Sequence, residues 1–341
     1  MEKLFVGIDI SKDKFDVSYT KDGQNTFGHS TFLNSKSGIK KFFSKAIKIL
    51  EKENLKQLHF CMEATGIYHC ELCEFLQESP VHIVSVINPL KTKAFSRSLL
   101  LRTKNDKVDS SMLALYGFLH NPPQTPRLPE TIKRFRNLVR YKETLTESRT
   151  QEIGRLKSSL DSEVKKLINK KILFIEKQTK EVISKIQDLV NTDEFLKKQI
   201  SLLKTVDGIG DVVAWKLLSE IKFEDIENIS PKAQVAHAGL SPREFSSGVS
   251  VRGRSHISRM GNSDLRKILF CPALGCIKNS NYFTSFYLRL LDNGKPKKLA
   301  VVAVMRKILL TAMGVLRNQQ PFDPYWAEKA REQYINRLNI A

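Results

Sequence analysis

Hydrophobic and polar positions over the first 125 residues switch repeatedly between strand and helix periods. A helix is predicted over residues 35–51, where apolar side chains recur along one face, with further helices over 65–76 and from Asp106 to Phe118. Five short segments are continuous apolar runs or alternate apolar with polar residues, which predicts β-strands over residues 4–8, 15–19, 26–33, 58–62 and 81–87. This order predicts an α/β domain built on a mixed five-stranded sheet.

The proline-rich stretch NPPQTPRLP, residues 121–129, interrupts these patterns, and we place the end of the first domain at residue 125. Residues 126–200 repeat apolar side chains at helical spacing, which predicts two long helices forming an antiparallel hairpin or a coiled coil. We expect a spacer or an oligomerisation arm here. A mostly helical C-terminal domain is predicted over residues 201–325, followed by a peripheral tail over 326–341.

Two segments of the C-terminal part have the composition of phosphate-binding elements. Gly208 and Gly210 separate two helical patterns, as in a helix-hairpin-helix turn whose backbone amides hold a DNA phosphate, although turns of this kind are common. Residues 238–267 are rich in Ser and Gly and poor in large aliphatic residues. They predict an exposed loop that meets phosphate, with a merely solvated face as the alternative, and their cations include Arg243, Arg252, Arg254, Arg259, Arg266 and Lys267.

The overall charge favours a polyanionic partner. The chain has 56 Lys and Arg against 36 Asp and Glu, a net charge of +20, so nucleic acid is the leading candidate and an acidic membrane surface is the alternative. We expect no membrane span, because no stretch approaches about 20 apolar residues, and a cytoplasmic location. Five cysteines fit a reduced compartment, and the Cys70-x-x-Cys73 spacing has no second pair that would favour zinc over buried apolar positions.

Four carboxylates stand where elements begin or end. Asp9 and Glu63 each follow a predicted strand, while Asp106 and Asp109, three residues apart, open the helix after the last strand. If the first and fourth strands are neighbours, the four side chains converge and repel one another, and a divalent cation resolves that conflict. We therefore expect an Mg²⁺ or Mn²⁺ site for phosphodiester chemistry. For the helical pair alone, the simpler explanation is that acids favour the first turn of a helix.

Several motifs, taken in order, resemble one known family. The stretches GIDISKDKFDV, MEATGIYH, VINPLKTKAF and KNDKVDSSMLA are similar to the RuvC-like domain, an RNase H fold, of the DEDD transposases of bacterial insertion sequences. That family includes bridge-RNA-guided recombinases and the related Piv-type DNA invertases. The resemblance continues through VDGIGDVVAWKL and AHAGLSPREFSSGVSVRGRSHISRMGNSDLRK, so it covers almost the whole chain.

The resemblance implies a set of catalytic residues. Asp9, Glu63, Asp106 and Asp109 occupy the four acidic positions of the family, which hold the metal. The family also uses a serine directly before a glycine, which here is Ser247, with Ser246 and Ser250 as neighbouring candidates. Basic residues beside the acidic helix are expected to bind nucleic acid, among them Lys104 and Lys107.

The family resemblance also implies a mechanism and partners. Ser247 would attack a scissile phosphate to form a covalent phosphoserine with DNA, and the serine is supplied from another domain or a neighbouring subunit. Expected partners are target and donor DNA, a structured noncoding guide RNA, and further copies of the chain in a dimer or tetramer. Alternatives that stay open are a RuvC-like nuclease or junction resolvase that uses water as nucleophile, a Piv-type invertase, and a non-catalytic nucleic-acid scaffold.

Overall fold

A computed structural model describes most of the chain: residues 2–64, 66–100, 105–221, 229–243, 246–247, 251–252, 256–258 and 260–326. The chain divides into two compact units, and the boundary in the sequence falls between Arg127 and Leu128. Each unit has hydrophobic core clusters of its own.

The first unit is built on a mixed five-stranded sheet, as predicted. Its strands are β1 (Lys3–Ile10), β2 (Lys14–Thr20), β3 (Phe27–Leu33), β4 (Gln57–Glu63) and β5 (Ile83–Ile87), in the order β3-β2-β1-β4-β5. Strands β1, β2 and β3 pair antiparallel, whereas β4 pairs in parallel with both β1 and β5. The first and fourth strands are therefore neighbours, which confirms the condition on which the sequence argument for the acidic cluster depended.

Two helices cover opposite faces of this sheet. Helix α1 (Lys36–Lys52) packs its apolar face onto side chains such as Val6 and Ile8, whereas helix α4 (Asp106–His120) packs with Cys61 and Ile87. Successive residues of a strand point to opposite faces, so these contacts assign each helix to one face.

The second helix of this unit is shorter than the sequence predicted. Helix α2 spans Cys70–Leu76, not residues 65–76, because Gly66 has φ of +55° in a turn that precedes it, and residue 65 lies outside the described residues. The predicted end of the fifth strand is confirmed. Two residues after the end of that strand, Pro89 occupies the first position of helix α3 (Pro89–Ser98).

Gly7 allows α4 to lie directly on strand β1. A Cβ atom at this position would come within 2.1 Å of both the Ala114 nitrogen and the Ser110 carbonyl oxygen. The same close approach buries the polar residues of β2, and the hydroxyls of Ser18 and Ser110 lie 2.9 Å apart. Strand β2 is thus buried on both faces, although its alternating sequence is typical of a strand with one solvent face.

The second unit is helical. Helices α5 (Glu130–Ser158) and α6 (Ser162–Thr192) pack as an antiparallel pair, since Arg149 binds Glu176 at 2.8 Å and Lys171 binds Glu152 at 2.6 Å. This confirms the predicted two-helix hairpin, while its designation as a coiled coil stays a prediction. The following helices are α7 (Glu194–Lys204), α8 (Asp211–Glu220), α9 (Pro231–His237), α10 (Ser263–Asn279), α11 (Asn281–Asp292) and α12 (Lys297–Asn318).

Helix α12 runs through the core of the second unit. Among the described helices it alone is long and apolar enough to cross a membrane, whereas the sequence argument expected no stretch of that kind. Half of the most apolar 18-residue stretch of α12 is buried. Val304 and Ile308 are wholly buried in the same cluster as Phe135 of α5. A central helix in a helical core is apolar almost all round, and that is the role of α12 here.

A buried ion network joins three helices of this unit. The side chain of Lys216 on α8 is only 1% exposed, and its ammonium contacts Glu143 of α5. The same ammonium lies 3.3 Å from Glu220 and 3.8 Å from Asp264 of α10. Glu220 also accepts hydrogen bonds from Arg140 and Asn262, so the buried cation is well compensated.

Candidate active site

Asp9 and Glu63 are neighbours on the sheet. The register of the parallel pair β1 and β4 ends at Ile8 opposite Met62, and the two acids follow one position later. Ile8 and Met62 belong to the core beneath α1, so by alternation Asp9 and Glu63 project from the face that α4 covers. Asp9 and Glu63 therefore lie on the same face of the sheet, near the carboxyl ends of two neighbouring strands.

The other two predicted acids enter from α4. Asp106 and Asp109 lie in its first turn, where the Asn105 side chain caps the helix by accepting a hydrogen bond of 2.9 Å from the Val108 amide. The pKa of Asp9 is raised to about 6, first by burial and then by the negative charges of Asp109, Asp106, Glu63 and Asp16. All four predicted acids thus lie in one electrostatic neighbourhood.

The four carboxylates are the type of ligand that a hard divalent cation prefers, but their positions do not form a complete binding site for one ion. Carboxylate oxygens are the ligands that Mg²⁺ and Mn²⁺ prefer, and the like charges around Asp9 are what such an ion would neutralise. In the part of the chain that the structure describes, however, no three His, Cys, Asp or Glu side chains are arranged to hold one ion. The sequence argument expected the four carboxylates to share one ion. In the structure they lie near one another, but they are not arranged around a single ion position.

The side chain of Lys14 forms an ion pair with one of the four acids. The ammonium of Lys14 lies 2.6 Å from Asp106 and 3.5 Å from Asp16. The Lys14 contact lowers the pKa of Asp106, and the two acids raise the pKa of Lys14. Lys14 therefore neutralises part of the negative charge of this cluster.

Asp16 is a fifth acid that the sequence analysis missed. It stands directly opposite Asp9 in the register of β1 and β2 and is only 4% exposed. Its carboxylate accepts a hydrogen bond of 2.5 Å from Thr31 and lies 3.1 Å from the Nε2 atom of His29. The alternating pattern of β2 placed Asp16 on a solvent face, so only the packing of α4 could have indicated its burial.

Thr92 is a second missed residue. It is buried on α3, and its hydroxyl donates a hydrogen bond of 2.6 Å to the Glu63 carboxylate. The motif VINPLKTKAF contains Thr92, but nothing in its spacing points to Glu63. Thr92 fixes the orientation of one of the candidate ligands.

The candidate nucleophile lies in the second unit. Strands β7 (Ser246–Ser247) and β8 (Val251–Arg252) form a two-residue antiparallel ladder in which Ser247 pairs with Val251. Strands β6 (Pro242–Arg243) and β9 (His256–Ile257) form a second one. For Arg243, Ser247 and Arg252 the structure describes the backbone alone. Several expected site residues lie outside the described residues, namely Lys104, Ser250, Arg254 and Arg259.

Three further candidate cations are placed as follows. Arg266 is part of α10, not of a loop, and it donates to the carbonyl of Ala238 at 3.2 Å. Lys267, also on α10, pairs with Glu147 at 3.1 Å. Lys107 is exposed in the first turn of α4, beside Asp106. Lys107 therefore lies next to the carboxylates of α4.

The two candidate glycines serve different purposes. Gly208 has φ of +81°, and a Cβ atom there would lie 2.5 Å from the Sγ atom of Cys276. Gly210 precedes α8 with extended backbone, and no described atom would come within 4 Å of a Cβ atom added to it. Helix packing therefore explains Gly208, while the surface at Gly210 is open.

Comparison with protein families agrees with these features. A DEDD transposase model matches residues 6–164, which contain all four predicted acids, and a second model, for the IS116/IS110/IS902 family of transposases, matches residues 200–288. The mixed sheet with its carboxylates thus belongs to a DNA transposase, an enzyme class that recombines DNA. The chain is a member of the IS110-type transposase family.

Relatives of known name extend over nearly the full chain. The pilin gene-inverting protein of Moraxella bovis is 34% identical over 330 residues, which cover 95% of this chain and 98% of the relative. The protein of the same name from Moraxella lacunata matches to the same extent. The uncharacterized 43.6 kDa protein of insertion element IS110 from Streptomyces coelicolor is 29% identical over 118 residues, covering 34% of this chain and 28% of that protein.

Proposed function

We propose that this transposase cuts and rejoins DNA strands through a metal-dependent carboxylate site and a covalent phosphoserine. The observation that carries the proposal is the placement of Asp9 and Glu63 side by side on one face of the sheet, under the helix that bears Asp106 and Asp109. A purely structural or scaffolding domain gains nothing from gathering like charges, since their repulsion costs stability.

The four carboxylates are the proposed ligands of Mg²⁺ or Mn²⁺. Bound divalent ions neutralise the carboxylates and stabilise charge on a scissile phosphate. Thr92 holds Glu63 in place through its 2.6 Å hydrogen bond. Lys14, which binds Asp106 at 2.6 Å, adds a cation to this cluster of carboxylates.

Ser247 is the proposed nucleophile. Its oxygen forms a bond to phosphorus and gives up its proton to solvent, while the bond from phosphorus to a deoxyribose oxygen breaks and that oxygen takes up a proton from solvent. A hydroxyl of the new partner strand then attacks the phosphoserine, so that the phosphodiester is restored without an external energy source. The acids belong to the first unit and Ser247 to the second, and we propose that catalysis requires residues of both kinds, supplied by one chain or by two neighbouring subunits.

A structured guide RNA and self-association complete the proposal. In guided systems, base pairing selects the DNA and the protein contacts backbone and shape. The net charge of +20 supports binding of more than one nucleic acid, and the long antiparallel helices α5 and α6 offer a surface for a dimer or tetramer.

Site-specific DNA inversion is the second candidate function. The observation that favours it is the near full-length similarity to the two pilin gene-inverting proteins. Inversion and transposition use the same strand chemistry and differ in the arrangement of the sites that are joined. A plasmid carrying two inverted copies of a candidate site separates them, because inversion keeps the plasmid length and reverses the intervening segment.

The decisive experiment looks for the covalent intermediate. Wild-type protein, RNA transcribed from sequence flanking its gene, and candidate DNA are incubated with Mg²⁺, and the adduct is mapped by peptide mass spectrometry. We expect a DNA-linked Ser247, lost in Ser247→Ala and in Asp9→Asn. The matched control Ser246→Ala is expected to retain the adduct. Cleavage that survives Ser247→Ala without an adduct would favour the nuclease alternative, in which water is the nucleophile.

A further inference from the structure

Helix α1 carries a dense row of lysines. Its 17 residues include six lysines and one acid, Glu51, and the buried face is formed by residues such as Phe42 and Ala46. Successive intervals of four, three and four residues place Lys41, Lys45, Lys48 and Lys52 on one side of the helix. All six lysines are exposed, and together we call them the α1 lysine face: Lys36, Lys40, Lys41, Lys45, Lys48 and Lys52.

Most of this positive charge is uncompensated. Within the described residues, none of the six lysines of the α1 lysine face has an ion-pair partner, although Lys45 donates to the Ser30 hydroxyl and stands over the Phe32 ring. Some lysines elsewhere in the same unit are paired, as Lys21 is with Glu53 at 2.7 Å and Lys56 with Glu2 at 2.8 Å. Like charges held this close on one helix repel each other, so the face is complementary to a polyanion.

The α1 lysine face and the carboxylates belong to opposite sides of the sheet. Helix α1 packs on the face to which Val6 and Ile8 point, whereas Asp9 and Glu63 project toward the face covered by α4. Duplex DNA is stiff over about 150 base pairs and does not fold around a single small domain without a large bending cost. A duplex with its phosphate at the carboxylates therefore does not also lie along α1.

We propose that the α1 lysine face binds the backbone of a duplex DNA segment other than the one at the carboxylates. From Lys41 to Lys52 the helix extends about 16 Å, a length over which one strand of a duplex presents about five phosphates. Strand exchange brings two DNA segments together, which supplies the second duplex. The proposal rests on the proposed function in taking DNA as the substrate, strand exchange as the reaction and the carboxylates as the place of the first duplex, whereas binding at α1 itself needs neither the metal nor Ser247.

The test compares two variants of equal net charge. One replaces Lys40, Lys41, Lys48 and Lys52 with Gln, which keeps helix propensity and leaves the Lys45 contacts intact. The control replaces four lysines that already have acidic partners with Gln: Lys21, Lys56, Lys185 and Lys197. Binding of a short labelled DNA duplex is measured in EDTA over a series of salt concentrations, with circular dichroism to verify folding.

We expect the α1 variant to bind at least tenfold more weakly at 0.1 M salt. Its slope of log affinity against log salt should be smaller by about three to four, at about 0.9 for each lost phosphate contact. The double variants K40Q/K41Q and K48Q/K52Q should each reduce the slope by about half as much as the quadruple variant does. The control should stay within about threefold of wild type.

Three results would overturn the proposal. Equal losses in both quadruple variants would mean that only net charge matters. A loss confined to a structured RNA probe, with DNA binding unchanged, would assign the face to RNA. An α1 variant that binds DNA like wild type, while wild type still forms the Ser247 adduct, would remove this surface and leave the proposed function standing.

Discussion

The Thr92 hydroxyl donates a 2.6 Å hydrogen bond to the Glu63 carboxylate, which links α3 to the end of strand β4. A hydrogen bond to a charged acceptor is worth about 1.5–3 kcal/mol, enough to fix the rotamer of a metal ligand. Substitutions that remove outer residues of this kind commonly reduce metal affinity or activity about 10–100-fold.

Thr92→Val keeps the shape of the side chain and removes this donor. We expect DNA cleavage to fall about 10–100-fold and the Mg²⁺ concentration for half-maximal activity to rise. Thr92→Ser retains the hydroxyl and should stay close to wild type. Cleavage assays over a range of Mg²⁺ concentrations check this, and equal activity of the Val and Ser variants would contradict the assigned role.

The raised pKa of Asp9 predicts a specific pH dependence of stability. The folded protein has this pKa at about 6, against an ordinary value of 3.8, so the native state binds the proton more tightly than the unfolded chain. The contribution of Asp9 to stability is therefore present below about pH 4 and is lost as the pH rises through 6. After allowance for solvent screening, the loss is of the order of 1–2 kcal/mol.

Asp9→Asn should abolish this contribution. Urea unfolding in EDTA at several pH values checks the prediction. The free energy of unfolding of wild type should fall relative to that of Asp9→Asn between about pH 4 and pH 6. Parallel curves for the two proteins across that range would show that Asp9 is not perturbed. Adding Mg²⁺ above pH 6 should stabilise wild type more than the variant, since a ligand that binds the native state raises its stability.

Lys216 is the position where we expect the largest loss of stability. Lys216→Met leaves Glu143, Glu220 and Asp264 without their shared cation in the second unit. Breaking a buried pair in this way costs about 3–5 kcal/mol. Lys185→Met removes an exposed cation that pairs with Glu181 and should change the free energy of unfolding by less than about 1 kcal/mol. Denaturant unfolding of the two variants decides, and similar values would contradict the burial of Lys216.

The two glycines of the turn before α8 offer a matched pair. Gly208→Ala places a Cβ atom 2.5 Å from the Sγ atom of Cys276 on a backbone with φ of +81°, and we expect a loss of about 1–3 kcal/mol. Gly210→Ala meets no described atom within 4 Å and should be nearly neutral for stability. If the turn also holds a DNA phosphate, Gly210→Ala should weaken DNA binding without lowering the melting temperature.

Local patterns were sufficient for most of the first domain. The period of apolar residues predicted all five strands, although β1 runs on to Ile10 and β4 includes Glu63, so Asp9 and Glu63 lie within their strands and not after them. The predicted start of α4 at Asp106 is confirmed, and in the structure the side chain of Asn105 caps the helix there. The neighbouring strands β1 and β4 then brought these acids together.

Residues whose role depends on distant contacts could not be predicted. Thr92 meets Glu63 across 29 positions, and Lys14 meets Asp106 across 92. Asp16 had the pattern of a solvent-facing residue because the covering of β2 by α4 is a tertiary event. The lysines of α1 had the spacing of an ordinary surface helix, and their significance depends on α1 lying on the sheet face opposite the carboxylates, which is a tertiary arrangement.

The missing side chain of Gly7 has a consequence for how the acids of α4 are positioned. Since the helix backbone rests on the strand itself, the height of Asp106 and Asp109 above the sheet is set by main-chain contact and not by the length of any connecting loop. Even one methyl group at residue 7 would push α4 away from the sheet. Both acids would then move together, and their distance from Asp9 would increase.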